Sequence, residues 1–365
     1  MLLARRNLFR DRTRFLLSVL GVAVSVGLIL LLAGYRSGVY RQSSAYLDNT
    51  PGSVVVAERG IRDFLGTSSV LPTGAEEAVR ATIGVERVIP VVSQFVIFER
   101  HGRKDGFFLV GYEPLLGGGP WRLVEGREPA ADDELVMDRT AARQHAITIG
   151  DTIDVLDRDV KVVGLSDGTT FWAGSVAFVR ITMLESLLRS PGLRSFLLVS
   201  ATPGLAPETL SETIDVPGAE VLLKSDVIAN DAALMARVYD APIGLMVAIA
   251  FVVGVLVVGL VIYTATVERR REYGALKAIG ARNGTLYRVV TTQAVIAAVS
   301  GALVGTAMAY GAGAALMAWR PQFLVEIEPS VVTIVLGSSL LMAVFAALMP
   351  ARSVATLEPA EVFRG

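Results

Sequence analysis

The stretch ERRREYGALKAIGARNGTLYR, residues 268–288, lies between two of the longest apolar runs in the chain. These runs are Ala241–Val267 and Val289–Trp319, and neither contains an Asp, Glu, Lys, Arg or His residue. A helix rises about 1.5 Å per residue, so about 20 apolar residues span the ~30 Å hydrocarbon core of a bilayer. We therefore predict two transmembrane helices joined by a short basic connector, which is the place where the chain meets a cytoplasmic partner.

The composition indicates a membrane protein with a separate polar domain. Of the 365 residues, 52% are hydrophobic and 19% are charged, whereas soluble domains carry about 25% charged residues. A net charge of −1 gives no basic field for nucleic acid, so no nucleic-acid partner is predicted. The sequence has no cysteine, and its two histidines, His101 and His145, lack metal-ligand spacing. We predict neither a disulfide nor a metal site.

Hydropathy divides the chain into eight predicted segments. They are an amphipathic helix over residues 1–14, a transmembrane helix over 15–35, an α+β domain over 36–240, a second transmembrane helix over 241–267, a basic connecting loop over 268–288, a third transmembrane helix over 289–319, a fourth over 330–351, and a tail over 352–365. The first segment also fits a simple charged flank. The apolar run 15–35 is longer than the ~7–15 residues of a signal-peptide core, which favours a retained anchor.

The predicted domain over residues 36–240 alternates short β-like runs with helical pieces. The strands are predicted at 53–57, 87–98, 107–110, 134–137, 152–156, 160–164, 176–179 and 196–199, and the helices at 74–81, 138–145, 182–188, 207–214 and 224–240. Thr182 and Glu185 have the spacing of a capping box. Many strands follow one another without a helix, so an α+β fold is predicted rather than a doubly wound sheet. The whole is an α-helical membrane protein with four transmembrane helices, in which this domain is inserted between helices 1 and 2.

Basic residues in the short segments predict the orientation. The N-terminal segment has five arginines and the 268–288 connector has six Lys or Arg residues, whereas residues 320–329 contain one. Short cytoplasmic segments carry an excess of Lys and Arg. We expect both termini and the connector to be cytoplasmic, and the large domain to lie outside the membrane. The basic N-terminus is also expected to contact membrane lipid.

The third predicted transmembrane helix carries small residues at intervals of four. They are Gly301, Gly305, Ala309 and Gly313. Such spacing lets helices approach closely in lipid, within one chain or between subunits. The alternative is the ordinary abundance of Gly and Ala in membrane helices.

Several chemical activities are disfavoured by the sequence. It has no G-x-x-x-x-G-K-[ST] loop for nucleotide phosphates and no G-x-S-x-G nucleophile elbow. The predicted spans contain no charged residue for an ion or proton relay. We therefore predict a non-catalytic protein.

The connector and the chain end resemble those of FtsX-like permeases of MacB-type (type VII) ABC transporters, in the branch that includes DevC and HrtB. Residues 269–281, RRREYGALKAIGA after Glu268, are similar to that family's R-x-x-E-x-G-x-L-x-A-x-G-A signature. The basic N-terminus, the large inserted domain and the end Pro350-Ala351 … Pro359-Ala360-Glu361 are also similar. The matching positions are Arg269, Glu272, Gly274, Leu276, Ala278, Gly280 and Ala281.

The resemblance implies a permease dimer, with a second copy of this chain, that works with two copies of a separate ATPase subunit. ATP and Mg²⁺ would be bound by that ATPase, and no cofactor is expected in this chain. The 268–281 segment would be the coupling helix, with Tyr273, Leu276 and Ile279 as apolar contacts and Gly280 at the helix end. Such systems reside in the bacterial inner membrane, and some work with an extracytoplasmic adaptor.

Three functions are compatible with the sequence at this point. The first is export of a hydrophobic or amphipathic substrate, such as a lipid, lipoprotein, peptide, antibiotic or haem. The second is an FtsX-like mechanotransducer that regulates an extracytoplasmic partner without transport. The third is a membrane-anchored sensor or enzyme, which the lack of a catalytic constellation disfavours.

Overall fold

The computed structural model describes residues 12–100, 103–171, 174–268, 270–279 and 281–355. The predicted architecture is confirmed: four long apolar helices accompany an α+β domain between the first and second of them. The chain forms two compact units. Of the described residues, the α+β unit contains those of Val39–Val238 and Pro321–Phe323, and the helical unit contains those of 12–38, Tyr239–Arg320 and 324–355.

The described elements follow one another in chain order. They are α1 (Arg12–Asn49), β1 (Val54–Glu58), α2 (Ala75–Arg80), β2 (Val85–Arg100), β3 (Arg103–Tyr112), β4 (Leu123–Gly126), β5 (Glu134–Asp138), α3 (Arg139–Gln144), β6 (Thr152–Val155), β7 (Asp159–Ser166), β8 (Thr170–Phe171), β9 (Gly174–Arg180), α4 (Ile181–Leu187), β10 (Phe196–Ala201), α5 (Pro207–Thr213), β11 (Ala219–Leu223), α6 (Lys224–Glu268), α7 (Arg270–Ala278), α8 (Asn283–Trp319) and α9 (Pro329–Ala355).

Six strands of the α+β unit pair in a closed ring, in the order β2, β3, β9, β5, β7 and β6. The ring closes where Phe98 and Glu99 of β2 pair with Val155 and Asp154 of β6. Strands in such a ring send alternate side chains inward. The interior holds a cluster of buried apolar residues, of which Phe98 stacks on the neighbouring ring of Phe107 at 4.2 Å between centroids.

Strands β4 and β8 pair with β7 and β9 of the ring, and strands β11, β1 and β10 form with β2 an antiparallel sheet in the order β11, β1, β10 and β2. Both of its faces are buried, because alternate residues of β1 enter two different cores. Val54 and Val56 pack with α2 and α5, while Val55 belongs to a cluster that includes Tyr46 of α1 and Val227 of α6. The 16-residue strand β2 belongs to both this sheet and the closed ring.

The helical unit is held by one buried cluster to which α1, α6, α7, α8 and α9 all contribute. Much of this cluster is alanine, for example Ala294, Ala298 and Ala302 of α8 and Ala346 of α9. Their small side chains allow the helix backbones to approach closely.

Three features differ from the sequence predictions. The helix predicted at 15–35 continues to Asn49, whereas the helix predicted at 224–240 runs directly into the second apolar run as α6, in agreement with its position immediately before that run. The capping box is wrong: the α4 cap is Arg180, the Thr182 hydroxyl donates to Asp132, and Glu185 accepts from Arg194. Strands β4, β8 and β11 were not predicted. The amphipathic helix at 1–14 lies outside the described residues except for 12–14, as does the tail beyond Ala355.

Candidate functional site: the α7 helix and the small-residue face of α8

Most of the motif found in the sequence folds as the short helix α7, which is connected to α6 and α8 on its two sides. Its charges suit a helix of this direction, since Glu272 lies in the first turn and Lys277 in the last. Carboxylates are favoured near the positive N-terminal end of a helix and ammonium groups near the negative C-terminal end. Positions 274, 275 and 278 are glycine or alanine, so the helix has little side-chain bulk there.

One face of α7 is fixed to the helical unit. Tyr273 is only 4% exposed and belongs to the same buried cluster as Ile262 of α6 and Leu286 of α8. Gly274, next to it, is also buried. The Tyr273 ring was predicted to contact a partner, but its burial gives it a different place, within the core of its own chain.

The opposite face of α7 is open. Glu272 is exposed, and Ile279, just beyond the helix end, is 85% exposed. The backbone N–H of Ile279 still donates to the carbonyl oxygen of Ala275 at 3.1 Å, so the last turn holds this side chain outward. The apolar surface of this side chain is therefore available for a protein partner to bury.

Three of the predicted motif positions cannot be placed in this surface. Arg269 and Gly280 lie outside the described residues, and so does the side chain of Leu276. The structure therefore brings together Glu272, Tyr273, Gly274 and Ile279 on one short helix, and divides them into a buried and an exposed pair.

The small residues of α8 face the first helix of the same chain. A Cβ atom added at Gly301 would lie 2.5 Å from Cβ of Val22 and 2.8 Å from the carbonyl oxygen of Val19. At Gly305 it would lie 2.5 Å from the carbonyl oxygen of Ala23. Such contacts are shorter than any side chain tolerates, so glycine permits this approach of α8 to α1.

The same face continues toward the end of α8. Ala309 is fully buried, and a Cβ atom at Gly313 would contact Val325 at 3.2 Å. By contrast, Gly311 lies on the exposed side of α8 and has no atom within 4 Å of an added Cβ. The four predicted residues therefore share one intramolecular packing face.

An ion pair between α1 and α6 was not predicted. Arg36 donates through Nε and Nη2 to the two carboxylate oxygens of Asp240, at 2.7 and 2.9 Å. One residue earlier on each helix, the rings of Tyr35 and Tyr239 meet edge to face at 6.2 Å. The sequence signal was available, since Arg36 directly follows one apolar run and Asp240 directly precedes another.

Among the described residues, no group of three or more His, Asp or Glu side chains has the geometry to hold a metal ion.

Two family profiles match this chain. The profile described as the MacB-like periplasmic core domain covers residues 15–215, which is more than half of the sequence. The chain belongs to the MacB-like permeases. The profile described as the FtsX-like permease C-terminal region covers residues 244–359 and so includes α7 and α8.

Individual proteins are also similar to this chain. An uncharacterized ABC transporter permease of Mycobacterium tuberculosis is 27% identical over 99% of each chain. The macrolide export ATP-binding/permease protein MacB of Agrobacterium fabrum is 23% identical over 98% of this chain and 59% of its own. The crystal structure of the periplasmic region of MacB from Actinobacillus actinomycetemcomitans covers 50% of this chain at 11% identity, with a TM-score of 0.39.

The MacB-like permease described here is thus a multi-pass ABC transporter permease with a periplasmic-type extracytoplasmic domain. A permease of this class implies an ATPase partner.

Proposed function

We propose that this chain is the permease subunit through which a separate ATPase drives outward movement of a hydrophobic or amphipathic substrate. The observation that supports this role is the division of α7 into a buried and an exposed face. Tyr273 fixes the helix in its own chain, while Glu272 and Ile279 are presented for a partner. The substrate class includes lipids, lipoproteins, peptides, antibiotics and haem.

The buried face of α7 supplies a physical route for coupling within the helical unit. Because Tyr273 shares a core with residues of α6, α8, α1 and α9, a push on the exposed face acts on all of these helices. Protein interiors are close-packed and transmit displacement rather than absorbing it. We assign Tyr273 the role of an anchor, and Glu272 and Ile279 the role of the contact surface.

The assembly that we propose follows the DevC/HrtB branch of the family. Two copies of this chain bind two ATPase subunits, which hold ATP and Mg²⁺, and an extracytoplasmic adaptor completes some such systems. The excess of Lys and Arg in residues 268–288 supports a cytoplasmic position for α7, and hence for both termini, in a bacterial inner membrane. Arg269, Leu276 and Gly280 join the contact surface in this proposal because of the sequence motif.

A charge placed on the exposed face tests the proposal. Ile279→Asp should abolish co-purification of the ATPase subunit and ATP-driven export, because a carboxylate would have to be desolvated at an apolar contact. Ile83→Asp is the matched control, since Ile83 is 89% exposed in the α+β unit. If Ile279→Asp binds the ATPase as wild type does, the contact role is wrong.

The alternative is an FtsX-like mechanotransducer that regulates an extracytoplasmic partner without transport. Helix α6 supports this alternative, because one continuous helix of 45 residues has its first part in the α+β unit and the rest in the helical unit. A transporter should move substrate across reconstituted vesicles when ATP is added. A mechanotransducer should show ATP-dependent activation of an outside enzyme and no substrate movement.

A further inference from the structure

The α+β unit contains a buried carboxylate that none of the roles above uses. Asp231, in the second turn of α6, has no exposed surface. It lies in the part of α6 that belongs to the α+β unit, before the apolar run that begins at Ala241. A fully buried acidic side chain is costly unless it is paired or fully hydrogen-bonded.

Only one of the two carboxylate oxygens of Asp231 is satisfied. Oδ1 accepts from the backbone N–H groups of Phe64 and Leu65, each at 3.0 Å. Oδ2 is buried and has no hydrogen-bond partner among the described residues. Two of the roughly four acceptor sites of a carboxylate are thus used on one oxygen, and the charge on the other is left uncompensated.

No cation relieves this charge in the described structure. Arg62, two residues before Phe64, forms an ion pair with Glu220 at 2.6 Å. Lys224, at the start of α6, donates to the carbonyl oxygens of Leu47 and Thr50. The ionised neighbour that acts on Asp231 is Asp63, and it has the same sign.

The turn that Asp231 holds has a structural role in the core. Phe64 is buried and stacks on Tyr46 of α1, with 5.0 Å between ring centroids. It also contacts Phe196 of β10 at 4.8 Å. Asn230 adds a second tie, because its amide donates to the carbonyl oxygen of Arg62 at 2.9 Å. Residues 62–65 are therefore hydrogen-bonded to α6 by the side chains of Asn230 and Asp231, and the ring of Phe64 packs in the core.

We propose that Asp231 is a proton-controlled latch: with a proton on Oδ2 it holds the Phe64–Leu65 turn on α6, and loss of that proton loosens the turn. In the neutral acid, Oδ1 remains a carbonyl oxygen and keeps both N–H bonds. Only a hydroxyl group is then buried at Oδ2, and a buried hydroxyl costs far less than a buried charge.

Electrostatics place the change near neutrality. Burial raises the pKa of Asp231 to about 7, against the two backbone N–H bonds that lower it, and Asp63 raises it further. The folded pKa lies above the unfolded one, so the latch is fully stabilised below about pH 4. This stabilisation is lost progressively as the pH rises toward 7. Above pH 7 Asp231 is ionised, and its contribution to the stability of the turn is smaller and no longer changes with pH.

Amide hydrogen exchange of the full-length protein tests the latch at the two donors themselves. After correction for the intrinsic exchange rate, opening at Phe64 and Leu65 should increase by up to about tenfold per pH unit between pH 5 and pH 7, because one proton is released on opening. It should then level off above pH 7. Amides of Val55 and Leu198, in the paired strands β1 and β10, report whether the whole unit responds.

Two variants complete the experiment. Asp231→Asn cannot ionise, so exchange at Phe64 and Leu65 should lose its pH dependence. Asp226→Asn, on the exposed side of the same helix, should retain it. A flat profile in wild type overturns the proposal even if Asp231→Asn does not fold. A pH response that persists in a folded Asp231→Asn protein, or that is shared equally by Val55 and Leu198, also overturns it.

Discussion

The two compact units are built from different core residues. The core around α1 and β1 in the α+β unit contains Phe64, Phe108, Phe178 and Phe196 together with branched aliphatic residues. The core of the helical unit is rich in alanine, and glycine lies where α8 packs against α1. In water, large apolar side chains gain free energy by burial, at about 25 cal/mol per Å². In lipid that gain is missing, so stability comes from close backbone packing.

The largest effect is expected at the aromatic core. Phe64→Ala should destabilise the α+β unit by about 3–5 kcal/mol, because the cavity removes contacts to three other rings. Hydrogen exchange of β1 and β10 amides in the full-length protein measures this change. Ile83→Ala, at an exposed position, should stay within about 0.5 kcal/mol of wild type. An equal loss in both variants would contradict a core that depends on Phe64.

The helical unit should respond to the addition of a single methyl group. Gly305→Ala places a Cβ atom against the backbone of Ala23, and overpacking of this kind costs about 2 kcal/mol. Gly311→Ala, on the open side of the same helix, should instead stabilise by up to about 1 kcal/mol, since alanine favours the helix. The melting temperatures of the two variants in detergent should therefore move in opposite directions. A shift in the same direction would show that α8 does not use this face.

A half-buried ionic network in the α+β unit should have an intermediate effect. Arg194 pairs with Glu76 and Glu185, each at 2.6 Å. Burial opposes ionisation of Glu76, but hydrogen bonds from Arg194 and Arg80 hold the pKa of Glu76 below its usual value. This stabilisation is present at neutral pH and is lost as the pH falls through that lowered pKa. The direction is opposite to that expected for the buried carboxylate of α6.

Replacement of Arg194 by methionine tests this network while keeping its aliphatic bulk. We expect a loss of roughly 1.5 kcal/mol at pH 7 and a smaller loss in acid, measured by hydrogen exchange of α2. A loss that does not change with pH would assign the effect of Arg194 to packing.

The smallest effect is expected at the ion pair of Arg36 and Asp240 in the helical unit. Both side chains are more than a third exposed, and exposed pairs contribute about 0.2–1 kcal/mol. A double-mutant cycle with Arg36→Ala and Asp240→Ala, at low and high salt, measures the coupling. A coupling that salt does not reduce would place this pair in a drier environment than its exposure indicates.

Much of the architecture was readable from the sequence because its signals are local. The long uncharged runs predicted the helices, and short, continuous apolar runs predicted most of β1, β5, β9 and β10. The misses have a different cause. Strand β11 has only partly buried residues throughout, and β8 has two residues, so neither is a fully buried apolar run like those of the predicted strands. The capping box failed because Thr182 and Glu185 found partners distant in sequence, Asp132 and Arg194, which no local pattern reveals.

The candidate site was readable to a similar extent. The motif located α7 on the chain, and the spacing of Gly301 and Gly305 located the face of α8. The burial of Tyr273 was not readable, because an aromatic residue in a basic segment suits a core and an interface equally well. The uncompensated oxygen of Asp231 was not readable for a different reason, because its neighbours Phe64 and Leu65 lie more than 160 residues earlier.

The length of strand β2 has a consequence for how the chain finds its fold. Its first part pairs with β10 and its second part with β3 and β6. A slip of one residue in a strand exchanges the side chains of its two faces. Along β2, such a slip would turn Val88 and Phe98 out of two separate cores at once. A one-residue slip of β2 therefore costs buried contacts in both cores. Correct pairing of β2 with β10 also fixes the register of its pairing with β3 and β6.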